Sequence, residues 1–236
     1  MNQILVLAKK EFRSYFDSPV AYVVITLFLI IAGWQFSTTL FINNTADLRT
    51  LFGIAKFILL FFIPAVSMRL FSEEKRGGTL EILLTLPTRD WQLVLGKYIA
   101  AYALILITLA LTGIHYISIS AMGDPDFGAS IGGYIGLALV VGVYLAIGIF
   151  TSSLTQNQIV AFIMAFVIIF IFFILDKFVY FMPGFLANML EFLSIDYHYN
   201  NISRGVIDTR NLIYYFSMIF MFLFLTVQVL ESRKWK

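Results

Sequence analysis

Hydrophobic and polar positions fall along this chain in long blocks. Six apolar blocks stand out: Val20–Ile42, Leu51–Phe71, Tyr98–Met122, Ile131–Thr151, Ile159–Leu175 and Leu212–Leu230. Each is bounded by charge, Pro or Gly, and none has an acid at its centre. A helix needs about 20 apolar residues to cross hydrocarbon, so the blocks predict six transmembrane helices. The fifth is short for a crossing and is expected to run on into Asp176–Tyr180.

Two regions follow other rhythms. At about 100° per residue, Ile4, Leu5, Ala8, Phe12, Tyr15 and Phe16 share one arc; Lys9, Lys10, Arg13 and Ser14 take the opposite one. That predicts an N-terminal interfacial amphipathic helix over 2–18, its bases near anionic headgroups. A plain basic flank of the first span is the simpler alternative. Ser18-Pro19 breaks the helix before the chain enters the bilayer. Residues 176–211 are apolar but interrupted at Pro183-Gly184. They predict short external helices that dip into the outer leaflet, since irregular backbone at that depth must be buried in protein or line a wet cavity. Asp196-Tyr-His-Tyr199 is expected at headgroup level.

Composition narrows the class. The 236 residues are 60% hydrophobic and 13% charged, with mean hydropathy +0.89. Soluble domains carry about 25% charge, so the expectation is an all-α, polytopic membrane protein forming one transmembrane domain over 1–236. The net charge of +2 says little, but its placement says more. With the N-terminus inside, eleven bases lie inside (Lys9, Lys10, Arg13, Arg69, Lys75, Arg76, Arg89, Lys97, Arg233, Lys234, Lys236). Five lie outside (Arg49, Lys56, Lys177, Arg204, Arg210). Basic residues favour the cytoplasmic side, so both termini are expected there. Met1–Asp17 shows no apolar core followed by a small-residue cleavage site, and the first span is expected to stay in place. The absence of cysteine excludes disulfides, thiolate metal sites and a cysteine nucleophile.

Candidate chemistry is sparse. The chain has no G-x-x-x-x-G-K-[ST], H-E-x-x-H or G-x-S-x-G motif. Asp196-x-His198 offers two metal ligands, and two are not a site. No catalytic residue, resident metal or nucleic-acid partner is expected. The fourth block places Ala138, Gly142 and Ala146 on one face, where another helix can approach closely. The fifth aligns Phe162, Phe166, Phe170 and Phe173, a stripe for lipid, a neighbouring helix or an apolar substrate. His115 is an intramembrane polar residue that needs a partner, by packing or along a pathway. Lys56 is expected to snorkel to the outer interface or to meet an acidic substrate group. Lys56, His115, Phe162, Phe166 and Phe170 are the substrate-pathway candidates.

Ser72–Thr88 is the most organised polar segment. Ser72 reads as an N-cap, with Glu73 and Glu74 in the first turn of a new helix. Gly77-Gly78 permits a bend. Thr79–Leu86 forms a short helix with Leu80, Leu83 and Leu84 on one side, and Pro87 stops it. Trp91 suits the interface belt as the chain returns to the membrane. A basic positive-inside loop without a partner is the bland alternative, but such a loop needs no projecting apolar turn.

Ser72-Glu-Glu-Lys-Arg-Gly-Gly-Thr-Leu-Glu-Ile-Leu-Leu-Thr-Leu-Pro87, followed by Gly96-Lys97, resembles the cytoplasmic loop of ABC-transporter permeases of the second exporter type. The Lys9-Lys-Glu-Phe-Arg13 helix, the six spans and the dipping segment agree, so the likeness covers essentially the whole chain. Asn201–Asp208 and Leu230–Trp235 are similar to the branch of gliding-motility and nitrous-oxide-reductase-maturation permeases. The resemblance implies a bacterial inner-membrane subunit with a coupling loop over 72–90, docked on a separate ATPase that binds ATP and magnesium. By that likeness Glu73, Glu74, Arg76 and Glu81 would be polar contacts, Leu80, Leu83 and Leu84 apolar ones, and Gly78, Thr79 and Pro87 would shape the loop. A second permease copy and the lipid bilayer are implied partners, with a periplasmic or envelope protein as a further candidate. A channel or carrier would need charges at mid-span, and a membrane enzyme would need clustered acids or histidines. A non-transporting anchor for an ATPase acting on an envelope partner would share the same loop.

Overall fold

The computed structural model of the chain describes residues 3–43, 47–80, 89–123, 125–206 and 208–232. The described residues form eleven α-helices, one 3-10 turn and no strand. These are α1 (Gln3–Asp17), α2 (Val20–Asn43), α3 (Arg49–Ser67), α4 (Arg69–Arg76), α5 (Asp90–Leu111), α6 (Gly113–Ser120), α7 (Phe127–Leu154), α8 (Gln158–Phe178), α9 (Gly184–Leu193), α10 (Ile195–Ile202) and α11 (Thr209–Glu231). The 3-10 turn spans Val179–Phe181. A helix satisfies its backbone internally, which hydrocarbon demands.

Six runs are long and apolar enough to cross a membrane: Val20–Ile42, Arg49–Arg76, Asp90–Ser120, Phe127–Leu154, Gln158–Phe178 and Thr209–Glu231. They match the six apolar blocks, and all but the first are longer than the block that marks them. The second run is continuous through Phe71 and Ser72, so Ser72 does not cap a new helix. It sits inside α4 and its hydroxyl donates to the Met68 carbonyl. The run breaks earlier, at Met68, whose amide still donates to the Pro64 carbonyl at 2.8 Å. The third run breaks at Thr112, whose hydroxyl lies 3.1 Å from that of Tyr134 on α7. The fifth helix extends to Phe178, as its short apolar block required.

Six crossings bring α1 and the last turn of α11 to one end of the bundle, the terminal end. There α1, α4 and the start of α5 gather, while α9 and α10 lie at the far end. Between them α7 is the hub, packed against α3, α4, α5, α8, α10 and α11. Its small residues explain this, because helices in lipid associate through close packing. A Cβ at Gly148 would lie 2.0 Å from Ser67 Oγ of α3. The stacked rings of Tyr98 and Tyr102 on α5 cross the small-residue face. Their hydroxyls donate to the carbonyls of Gly142 at 3.2 Å and Ala138 at 3.1 Å.

The N-terminal helix forms and its inward stripe is nearly the expected arc. Ala8 and Tyr15 are buried, Ile4, Phe12 and Phe16 are partly covered along with Leu7 and Glu11, and of the expected arc Leu5 alone stays exposed. The stripe turns toward α5 because Gly96 has no side chain: a Cβ there would lie 2.8 Å from Leu7 Cβ. At the far end, α9 forms with no buried residue. By contrast, α10 is not an exposed polar cluster. Asp196, His198 and Tyr199 are buried against the bundle, because each finds an internal polar or aromatic partner.

Candidate functional site

The terminal end is built on a buried ion cluster. Lys97, 2% exposed, reaches Glu74 at 2.6 Å and Glu11 at 3.3 Å. It thereby joins α5, α4 and α1, with its ammonium 5.4 Å from the Phe71 ring centre. Glu74, expected among outward polar contacts, thus faces inward: a buried lysine must find a carboxylate. Its second oxygen, Oε2, is buried and lacks a hydrogen-bond partner among the described residues, as does the Tyr15 hydroxyl. Burial pushes that phenol well above its ordinary pKa, with Arg69 acting in the opposite sense. Both side chains line a groove of about 420 Å³ between α1 and α4, together with Lys10, Arg69 and Glu73.

Helix α4 is fastened to the hub. The Ser152 hydroxyl of α7 donates to the Met68 carbonyl at 2.7 Å and accepts from the amides of Phe71 at 3.0 Å and Ser72 at 3.1 Å. It plugs the helix break, where backbone groups would otherwise be unpaired. Lys75 is also buried and donates to the Ser153 carbonyl. One turn before Ser152, Gly148 receives Ser67. Outward from this fastening, Glu73, Arg76, Gly77, Gly78 and Thr79 are exposed. Gly78 adopts φ +69°, a left-handed conformation natural to glycine. Leu80, expected as an outward apolar contact, is buried in the core. Glu81, Leu83, Leu84 and Pro87 lie outside the described residues.

The substrate-pathway candidates do not converge. Lys56 does not snorkel. It is buried, pairs with Asp196 of α10, and lies 3.9 Å from the Tyr199 ring centre. Asp196 also meets Lys177 of α8 at 3.6 Å, and Lys177 meets Asp176 at 3.0 Å. His115 packs edge-on against Phe36 of α2, with Nδ1 2.9 Å from the Thr112 carbonyl oxygen. Phe162, Phe166 and Phe170 stack in a ladder along α8, and Phe166 meets Phe61 of α3 at 5.0 Å. This aromatic wall is half-exposed. No group of three or more His, Asp or Glu side chains that could hold a metal occurs among the described residues.

Sequence reading missed Glu11, Lys97 and Ser152 as functional positions. Gly96-Lys97 belonged to the recognised pattern, and a lysine entering an apolar block was a signal for a buried counter-ion. Nothing in the sequence marked Ser152 as the plug for a break many residues away.

Geometry and composition together define a multi-pass, all-α membrane protein whose terminal end presents an exposed polar turn fastened to its central helix. A family model described as ABC-2 family transporter protein matches residues 5–231, and the chain belongs to that family. It is thus a membrane component of an ABC transporter. No curated protein matches the chain.

Proposed function

We propose that the chain is the permease subunit of an ATP-driven exporter, driven by a separate ABC ATPase that docks on the terminal end. The observation that carries this is the fastening of α4. An exposed turn, Glu73 to Thr79, is joined through Ser152 and Lys75 to the hub helix α7. Force applied to that turn reaches the packing core of the spans instead of dissipating in a free loop. The exposed Glu73, Arg76 and Thr79 are the polar contacts of this reading, with Glu81, Leu83, Leu84 and Pro87 as its further contacts.

The terminal end then faces the cytoplasm of a bacterial inner membrane, as the bias of Lys and Arg supports. Two permease copies and two ATPases form the transporter, in the branch that the Asn201–Asp208 and terminal segments resemble. ATP and magnesium reside on the partner; this chain performs no catalysis. ATPase closure favours one of two packings of the spans, so its differential affinity for the two states does the work.

Copurification tests the reading. The tagged chain, solubilised from its native membrane, should bring down an ABC ATPase with measurable ATP hydrolysis. Glu73→Lys with Arg76→Glu should reduce the retained ATPase at least about tenfold, the effect of one lost charge-assisted contact, while thermal unfolding stays unchanged. A wild-type chain that retains no ATPase, or a variant that retains it fully, would overturn the proposal.

A further inference from the structure

Helix α9 has no buried residue, and its last turn is gripped from two sides. The Tyr214 hydroxyl of α11 donates to the Leu193 carbonyl at 2.6 Å. Nε2 of His198, on α10, lies 3.0 Å from the Phe192 carbonyl oxygen. The other ring nitrogen, Nδ1, lies 2.7 Å from Oδ1 of Asn211 on α11. His198 is 4% exposed, and its ring stacks on that of Tyr214 with centres 4.0 Å apart, which fixes its plane. One side chain on α10 thus ties α9 to α11.

Counting protons decides what this tie requires. A backbone carbonyl only accepts, so a bond to Phe192 needs a proton on Nε2. A neutral imidazole has no second proton for Nδ1, yet Nδ1 also faces an oxygen. Both bonds as they stand need the imidazolium. A neutral ring keeps both contacts only if the Asn211 amide turns about, so that its NH2 donates to Nδ1. Asn211 also lines a groove of about 490 Å³ bounded by α9, α10 and α11. The same turn therefore exchanges the amide group that the groove meets, oxygen for NH2.

The surroundings favour the charged ring. The Phe192 carbonyl lies in the last turn of α9, where the helix dipole favours a cation. The groove carries two acids, Glu191 of α9 and Asp208 at the start of α11, against one base, Arg210. On the buried side Asp196 is paired with Lys56 of α3 and with Lys177 of α8, which also meets Asp176. Helix α7 brings no charged residue, only phenols such as Tyr144. Tyr197, Tyr214 and Tyr215 complete the titratable groups about the ring. A phenol ordinarily titrates above, and a carboxylate below, the range of about pH 5 to 8 in which an imidazole changes charge.

We propose that His198 is a proton-operated clasp on α9. Protonated, it grips the Phe192 carbonyl by a charge-assisted bond, roughly twice as strong as a neutral one, and holds Asn211 with its NH2 toward the groove. Deprotonated, it keeps the weaker neutral bond, Asn211 turns its oxygen to the groove, and α9 loosens. The clasp does not rest on the ATPase reading, because it lies at the opposite end of the bundle.

The chain has no cysteine, so Phe185→Cys, at a position of α9 that is 82% exposed, gives a single site for a nitroxide. With the full chain in nanodiscs, the mobile fraction of the spin-label spectrum should rise about threefold between about pH 5 and pH 8, as expected when a cation is lost from a helix C-terminus. His198→Gln, which retains a neutral donor, should abolish the step, and its unfolding temperature reports that the fold is intact. His115→Gln should keep it. Asn211→Asp, an acceptor that cannot turn into a donor, should move the step to higher pH. In the His115→Gln chain, nitrogen-15 spectra of labelled histidine see His198 alone and need no spin label. Both of its nitrogens should be protonated below the step, and Nδ1 alone should lose its proton above it. The proposal fails if the label shows no step, if His198→Gln retains it, if His115→Gln abolishes it, if Asn211→Asp does not raise it, or if Nε2 is the nitrogen that loses its proton.

Discussion

Two buried lysines hold this molecule together from opposite ends, and their surroundings differ in one respect. At the far end Lys56 and Lys177 meet Asp196 and Asp176, two charges of each sign, and both oxygens of Asp196 are engaged. At the terminal end Lys97 serves two carboxylates, Glu11 and Glu74, and one oxygen of Glu74 remains unpaired. The far cluster is neutral and closed; the terminal triad by itself carries an excess negative charge, which Lys10 and Arg69 face only across an open groove. A neutral pair tolerates the removal of neither partner alone without loss. An over-charged triad stores a demand that a cation or a proton can meet. The end proposed to receive a moving partner is therefore the end whose electrostatics are incomplete.

The largest effect should come from Lys97→Met. It leaves two carboxylates without their shared cation, which costs about 3–5 kcal/mol for a buried partner removed. At about 2–4 °C per kcal/mol for a chain of this size, unfolding in detergent should fall by roughly 6–20 °C. An unchanged midpoint would show that the triad does not carry the terminal end.

The sharpest test of the contrast pairs Asp196→Asn with Glu74→Gln. Asp196→Asn strands Lys56, with the Tyr199 ring as a partial substitute, and should cost about 2–3 kcal/mol. Glu74→Gln removes the excess charge and should lie within about 1 kcal/mol of wild type, on either side. Equal losses for both would erase the distinction between the two ends. The double change Lys56→Met with Asp196→Leu should recover most of the loss, as apolar replacements of buried pairs do.

Ser152→Ala should cost about 1–3 kcal/mol, since the Phe71 and Ser72 amides lose a buried acceptor. In a complex with the ATPase it should also lower transport per ATP hydrolysed, while binding of the ATPase persists. Full coupling with the stability loss alone would make Ser152 a structural plug and nothing more. The smallest effect belongs to Arg13→Ala. Its pair with Asp17 at 3.9 Å is highly exposed, and such pairs contribute about 0–1 kcal/mol. A midpoint shift comparable to that of Lys97→Met would mean that α1 is held by surface charge instead of by Gly96 and Lys97.

Much of the fold was legible along the chain because crossing a bilayer is a local demand. Length and apolarity alone mark a span, so six blocks gave six crossings, and the Pro183-Gly184 interruption gave short far-end helices. The small residues of Ile131–Thr151 announced a close-packed helix, though not that it would be the hub. What the pattern misplaced was polar. Lys56 read as snorkelling and Asp196-Tyr-His-Tyr199 as headgroup-facing, because polarity in an apolar run usually seeks water. Glu74 and Leu80 read as outward for the same kind of reason, from their neighbours in sequence.

Those errors share one physical cause. Whether a charged side chain faces water or a buried counter-ion depends on what lies across from it, and its partner here is remote in sequence: Asp196 for Lys56, Glu11 and Glu74 for Lys97. The amino-acid order determined the class of protein, the number of crossings and the polar turn that recognition of the family rests on, since these follow from local apolarity and spacing. Only the tertiary structure decided which polar groups are spent on internal partners and which remain free to act. That choice is made by helix packing, and packing is set jointly by residues that the sequence keeps far apart.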